Sequence, residues 1–66
     1  MYFVEWLYDG KIIERGAIDA KNVARAIDVA HVLSIEIGSR LVEEKPDSFR
    51  LLDGDREHLG VFKVRK

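Results

Sequence analysis

The chain has 66 residues, 47% apolar and 35% charged, with no cysteine and a formal net charge of −1. That length accommodates one domain, residues 1–66, which buries only about 60% of the surface its unfolded form exposes. The lack of cysteine excludes a disulfide framework or a thiolate metal site. The near-neutral balance argues against a protein whose whole surface holds nucleic acid or an anionic membrane.

Met1-Tyr2-Phe3-Val4 opens into an apolar run that Glu5 interrupts, and no basic segment precedes it, unlike a signal peptide. The apolar stretch from Ala20 to Ile37 contains Lys21, Arg25, Asp28 and Glu36, which excludes a membrane span. The expectation is a cytoplasmic protein with no membrane partner.

Tyr2 to Tyr8 is dense in aromatic and β-branched residues, and Lys11 to Ile18 is rich in isoleucine. Asp9-Gly10 between them is a hairpin signal, because both residue types tolerate positive φ. A two-residue loop pairs Leu7 with Ile12 and sets Glu5 opposite Glu14, which like charges disfavour. The sequence therefore favours a three-residue loop with a bulge at Gly10, pairing Leu7 with Lys11. Tyr2, Val4, Trp6, Ile12 and Ile18 then share one face, and Glu5, Lys11 and Arg15 the other.

Asp19 reads as an N-cap for a helix from Ala20 to Ile37. At 3.6 residues per turn, Val23, Ala24, Ile27, Ala30, Ser34 and Ile37 form its apolar stripe. Gly38 reads as its stop. A helix of that length is about 27 Å long and matches a seven-residue strand of about 23 Å, whereas continuation through Leu41 and Val42 to Pro46 would overhang. Phe49 to Asp53 and Leu59 to Arg65 read as two further strands. The order ββαββ predicts an α+β fold of two layers, a mostly antiparallel sheet packed on one helix.

Chemistry-bearing residues are few. His31, on the apolar stripe beside Ile27 and Ile35, has no second ligand at helical spacing and reads as a core-edge histidine with one hydrogen-bonded nitrogen. Asp53-Gly54-Asp55-Arg56-Glu57-His58 gathers ionisable side chains but lacks the glycine and glutamate positions of a calcium loop, so it reads as a polar turn. The glycines form no phosphate loop, the serines no nucleophile elbow, and Glu5 and Glu14 fall on opposite faces. Catalytic residues, metal ligands and cofactor-binding residues are expected to be none, and the protein is expected not to be an enzyme.

Two surfaces attract function. With Tyr2, Val4, Trp6, Phe49, Leu51, Phe62 and Val64 turned to the helix, the outer sheet face mixes cations with large apolar groups and has one acid, Glu5. Val29 and Val32 also make the helix apolar around most of its circumference, which is usual for a helix buried on more than one side. The first expectation is a module that self-associates, as a homodimer, through Phe3, Leu7, Ile13, Val29 and Val32. The second is nucleic-acid binding, with Lys11, Arg15, Arg50, Lys63 and Arg65 on phosphates and Phe3 stacked on a base.

Tyr2-Phe3 followed by Asp9-Gly10, then Asp19-Ala20 leading into Ala24, Ile27, Ala30 and Leu33, then Asp53-Gly54, resembles a family of small uncharacterised bacterial proteins. That resemblance covers most of the chain and implies a ββαββ fold without an activity. Trp6-Leu7-Tyr8-Asp9-Gly10-Lys11 with Gly16-Ala17-Ile18-Asp19-Ala20-Lys21 is also similar to the arm-binding domain of tyrosine-type phage integrases. There a three-stranded sheet enters the DNA major groove. Lys11 and Arg15 match the basic positions of that family, and the similarity implies DNA binding.

Overall fold

The computed structural model of the chain describes residues 1–41 and 43–64. In chain order the elements are β1 (Tyr2–Tyr8), β2 (Lys11–Ile18), α1 (Val23–Arg40), β3 (Ser48–Leu52) and β4 (His58–Lys63). The strands form one sheet in the order β2-β1-β3-β4, and every neighbouring pair is antiparallel. The fold is thus the α+β, two-layer ββαββ arrangement expected from the sequence. The crossover through α1 carries the chain from one edge strand, β2, over β1 to β3 on its far side.

The hairpin resolves its charge conflict in an unexpected way. Asp9 and Gly10 both have positive φ, 50° and 78°, as a two-residue type I′ turn requires. Tyr8 pairs with Lys11 and Leu7 with Ile12, so the expected three-residue loop does not form. Ile13 instead is an extra residue on β2, and beyond it Trp6 pairs with Glu14 and Glu5 with Arg15. This one-residue slip separates the two glutamates and changes which face the flanking residues occupy. Ile13, expected outside, packs against the core, while Ile12, expected inside, lies opposite Leu7 on the outer face. Lys11 lies opposite Tyr8, on the other face from Leu7 and Ile12, and so does not join Arg15.

The core joins Val4, Trp6, Ile18, Phe49 and Leu51 of the sheet to Ala26, Ala30 and Ile37 of the helix. Alanine at both central helix positions lets the backbone approach closely, and the Trp6 indole Nε1 donates to the Ala30 carbonyl at 3.4 Å. Phe49 is fully buried, with its ring 5.0 Å from His31 in an edge contact and 5.5 Å from Phe62.

The helix begins later than expected. Its N-cap is Asn22, whose side-chain oxygen accepts from the Arg25 amide at 2.9 Å, and not Asp19. Three extended residues reach about 10 Å, roughly the diameter of a helix, so Asp19, Ala20 and Lys21 are spent on the climb from sheet to helix layer. The buried stripe is correspondingly turned: Ala26 is buried, whereas Val23 and Ala24 are exposed. At the other end Gly38 does not stop the helix. It is buried within it, where a Cβ would meet the returning chain at ordinary contact distances, 3.7 Å from the Lys45 side chain and 3.8 Å from Pro46. Leu41 is the C-cap, its amide bonded to the Ile37 carbonyl at 2.9 Å, and Val42 lies outside the described residues.

Asp47 ties three elements together just before β3. Its carboxylate accepts from the Asp9 amide in the hairpin turn and from the Ser48 hydroxyl, each at 3.0 Å. Its backbone bonds Leu7 at 2.9 Å and Val64 at 3.0 Å. The Asp9 amide first, and then the Ser48 hydroxyl, hold the Asp47 carboxyl below its ordinary 3.8. A carboxylate with a depressed folded-state pKa stabilises fully above its unfolded pKa, and that contribution is lost as pH falls through the lowered value. Asp47→Asn should therefore be less stable than the parent near neutrality, and the difference should shrink with acidification below about pH 4. Urea titrations followed by circular dichroism at stepped pH will show it; a difference independent of pH would mean that the carboxylate charge contributes nothing.

Candidate functional site

The helix leans to one side of the sheet. At 3.6 residues per turn its buried ridge is Ala26, Ala30, Ser34 and Ile37, and the flank carrying Val29, Leu33 and Arg40 lies over β2. Arg40 donates to Glu14 of β2 at 2.9 Å, and Val29 and Leu33 pack against the core. The opposite flank carries His31, Ile35 and Gly38 and faces β3 and β4. Three strand spacings of about 4.8 Å separate the edge strands by about 14 Å, before side chains are counted. One helix of roughly 10–12 Å diameter does not cover that width. On that side, at the C-terminal end of the helix, a groove of about 620 Å³ is bounded by Ile35, Gly38 and Ser39 of α1, by Lys45 and Pro46 ahead of β3, and by Val64 just after β4. Beside it Val32 and Ile35 are 66% and 71% exposed.

The second surface is the outer face of the sheet. Phe3, Glu5 and Leu7 project from β1 between Ala17, Arg15 and Ile12 of β2 and Leu52, Arg50 and Ser48 of β3. Glu5, with 17% of its side chain exposed, is held by Arg50 at 2.8 Å and Arg15 at 3.5 Å. The Arg56 guanidinium lies 4.7 Å above the Phe3 ring, reaching over from the β3–β4 connection. A cleft of about 530 Å³ runs along Phe3, Glu5, Arg15, Leu52 and Arg56.

Of the residues expected to mediate self-association, Val32 alone is openly exposed. Leu7 is only 5% exposed, flanked on the central strand by Ile12 and Ser48. The β2 bulge turns Ile13 to the core, Val29 packs over β2, and Phe3 is half-buried beneath Arg56. Ile35, read as part of the apolar stripe, is the residue that sequence reasoning missed. Counting strands against helices supplies the signal, since one helix leaves part of four strands bare. Of the expected phosphate-binding cations, Arg15, Arg50 and Lys63 share the outer face, Lys11 does not, and Arg65 lies outside the described residues.

The remaining polar groups are engaged locally or isolated. The Asp53 carboxylate accepts from the Asp55 amide at 2.9 Å and the Glu57 amide at 3.0 Å, so it serves its own turn. Among the described residues no three His, Cys, Asp or Glu side chains converge to hold a metal. The His31 Nδ1 is buried without a hydrogen-bond partner among the described residues. No helix among the described residues is long and apolar enough to cross a membrane.

Fold and surfaces together define a small two-layer α+β domain with one partly covered helix face and one basic, aromatic sheet face. Comparison with family models, curated proteins and solved structures found no match.

Proposed function

We propose that the chain is a non-enzymatic interaction module that pairs with a second copy of itself through the exposed side of α1 and the groove beside β4. The observation that carries this reading is the juxtaposition of Val32 and Ile35, both largely exposed, with the groove between the C-terminal end of their helix, the 45–47 segment and Val64. Two adjacent open aliphatic side chains on a helix next to an apolar groove form a knob-and-cleft surface, which a two-fold axis makes self-complementary.

Charge placement favours the same occupant. Asp19, Lys21 and Arg25 around the start of the helix sum to +1, and Arg40, Glu43, Glu44, Lys45 and Asp47 around its end sum to −1. An antiparallel helix pair centred between Val32 and Ile35 brings the basic end of each copy to the acidic end of the other. Sheet-edge pairing is the competing route, and both edges are guarded against it. Ile13 bulges β2 and Leu59 is the extra residue on β4, and bulges interrupt the regular ladder that a new strand would need.

Analytical ultracentrifugation across about 10–200 µM should give a species of twice 7.6 kDa. Val32→Lys and Ile35→Lys should each weaken association at least about tenfold while circular dichroism stays unchanged. The Val32 change is benign to the monomer because Asp28 and Glu36 stand one turn to either side. A strictly monomeric parent, or a dimer indifferent to both substitutions, would overturn the proposal.

A further inference from the structure

The outer face of the sheet carries charge out of proportion to the whole. Among the described strand residues, Arg15, Arg50 and Lys63 oppose one acid, Glu5, for a balance of +2 within a chain of net −1, and Arg56 reaches over from the β3–β4 connection. Asp55 and Glu57 stand in the turn beside Arg56, at the Phe3 end of the face.

The cations are ordered along the strands. Arg56 lies over Phe3, Arg50 is level with Glu5, and Lys63 pairs with Ser48, which is level with Leu7. Successive levels lie two strand residues apart, about 7 Å along the strands, and each step also moves one strand across, about 4.8 Å, so that the row runs diagonally over the sheet. Phe3 sits on a central strand at one end of this row, half-buried at its base and held beneath a guanidinium.

Arg56 is set in place by its turn. It has φ 65°, a left-handed conformation that costs a residue with a side chain and that glycine adopts freely. Its amide bonds the Asp53 carbonyl at 3.0 Å, so the turn itself holds it there. The turn thereby fixes the direction in which the Arg56 side chain leaves the backbone, towards the Phe3 ring.

We infer that this face binds single-stranded nucleic acid, with one base stacked on Phe3 and the backbone running along Arg56, Arg50 and Lys63. A base laid on the ring displaces the Arg56 guanidinium sideways onto the adjoining phosphate, exchanging a cation–π contact for stacking plus an ion pair. Sheet surfaces recognise unpaired strands in this way because unstacked bases offer a flat π-face, whereas a duplex keeps its bases stacked inside. The inference is independent of self-association, which uses the opposite layer.

The probes are fluorescein-labelled oligo(U) RNA and oligo(dT) DNA of about twelve nucleotides, followed by anisotropy. Single strands of either sugar should bind and a labelled duplex should not. RNA bound much more tightly than DNA would place a 2′-hydroxyl contact on the same face. With three phosphates engaged, affinity should fall about 20-fold between about 50 and 200 mM salt.

Arg56→Gly relieves the backbone, so its fold should persist while affinity drops at least about tenfold and the salt dependence flattens. Phe3→Leu should weaken binding about fivefold or more with the salt dependence unchanged. Lack of binding at low salt, equal binding of duplex, or indifference to both substitutions would overturn the inference. So would displacement by an acidic polyglutamate peptide as effective as displacement by unlabelled oligonucleotide.

Discussion

Truncating Phe49 to alanine is expected to remove most of the stability of the fold. Phe49 is fully buried on a central strand, opposite Trp6 on one side and Phe62 on the other, with His31 against its ring. Phenylalanine-to-alanine changes in such cores cost about 3–5 kcal/mol, through lost transfer energy and the cavity left behind. At about 0.05–0.15 kcal/mol per residue, a 66-residue chain has roughly 3–10 kcal/mol in total. The cavity cannot be refilled cheaply, because the helix already lies close to the sheet on Ala26 and Ala30. Urea denaturation followed by far-ultraviolet circular dichroism measures the loss. Phe49→Leu, which keeps most of the volume, should cost less than about 1.5 kcal/mol. A loss for the alanine variant no larger than this would show that the core is centred elsewhere.

Glu5→Gln should move stability and binding in opposite directions. Glu5 stands between Arg15 and Arg50, and its neutralisation leaves a partly buried guanidinium without its counter-charge, at a cost of about 1–2 kcal/mol. The same change removes the one acid from the row of cations. A unit charge about 8 Å from a phosphate, at an effective dielectric between about 40 and 80, is worth about 0.5–1 kcal/mol. Affinity for oligo(U) at low salt should accordingly rise about two- to sixfold. Such an exchange of stability for binding is usual where a charged surface is held in check by its own counter-ion. Unchanged affinity in a folded Glu5→Gln protein would place the nucleic-acid track away from Arg15 and Arg50.

The two proposed surfaces are compatible because they lie on opposite layers. A pair joined through α1 and the β4 groove leaves both outer sheet faces open. Joining the two faces also raises the effective concentration of the second for a strand long enough to span both. Ile35→Lys should then weaken binding to long oligonucleotides while leaving short ones unaffected.

Much of this was legible from residue pattern alone. The Asp9-Gly10 turn, the helix through the middle of the chain and the two later strands follow from local rules: positive-φ tolerance, a 3.6-residue period, and alternation. These rules act between neighbours in sequence, so one sequence suffices to apply them. Register was harder. The repulsion between Glu5 and Glu14 was visible, but a bulge in β2 and a longer turn both relieve it. Only the bulge also buries Ile13, pairs Glu5 with Arg15 and leaves Asp9 in reach of Asp47, 38 residues away along the chain.

What this sequence determines by itself is the order of elements, the two-layer class and the identity of most core residues, because each depends on contacts or periodicities within one element. The tertiary structure alone decided which residues remain for function. Leu7, Ile13 and Val29 were withdrawn from the surface, Ile35 was left on it, and Arg56 was brought from a turn onto Phe3. The physical reason is that exposure is a property of what packs over a side chain. In a four-stranded sheet with one helix, the helix's lean and a single bulged residue settle that, and neither is encoded by any local stretch of sequence.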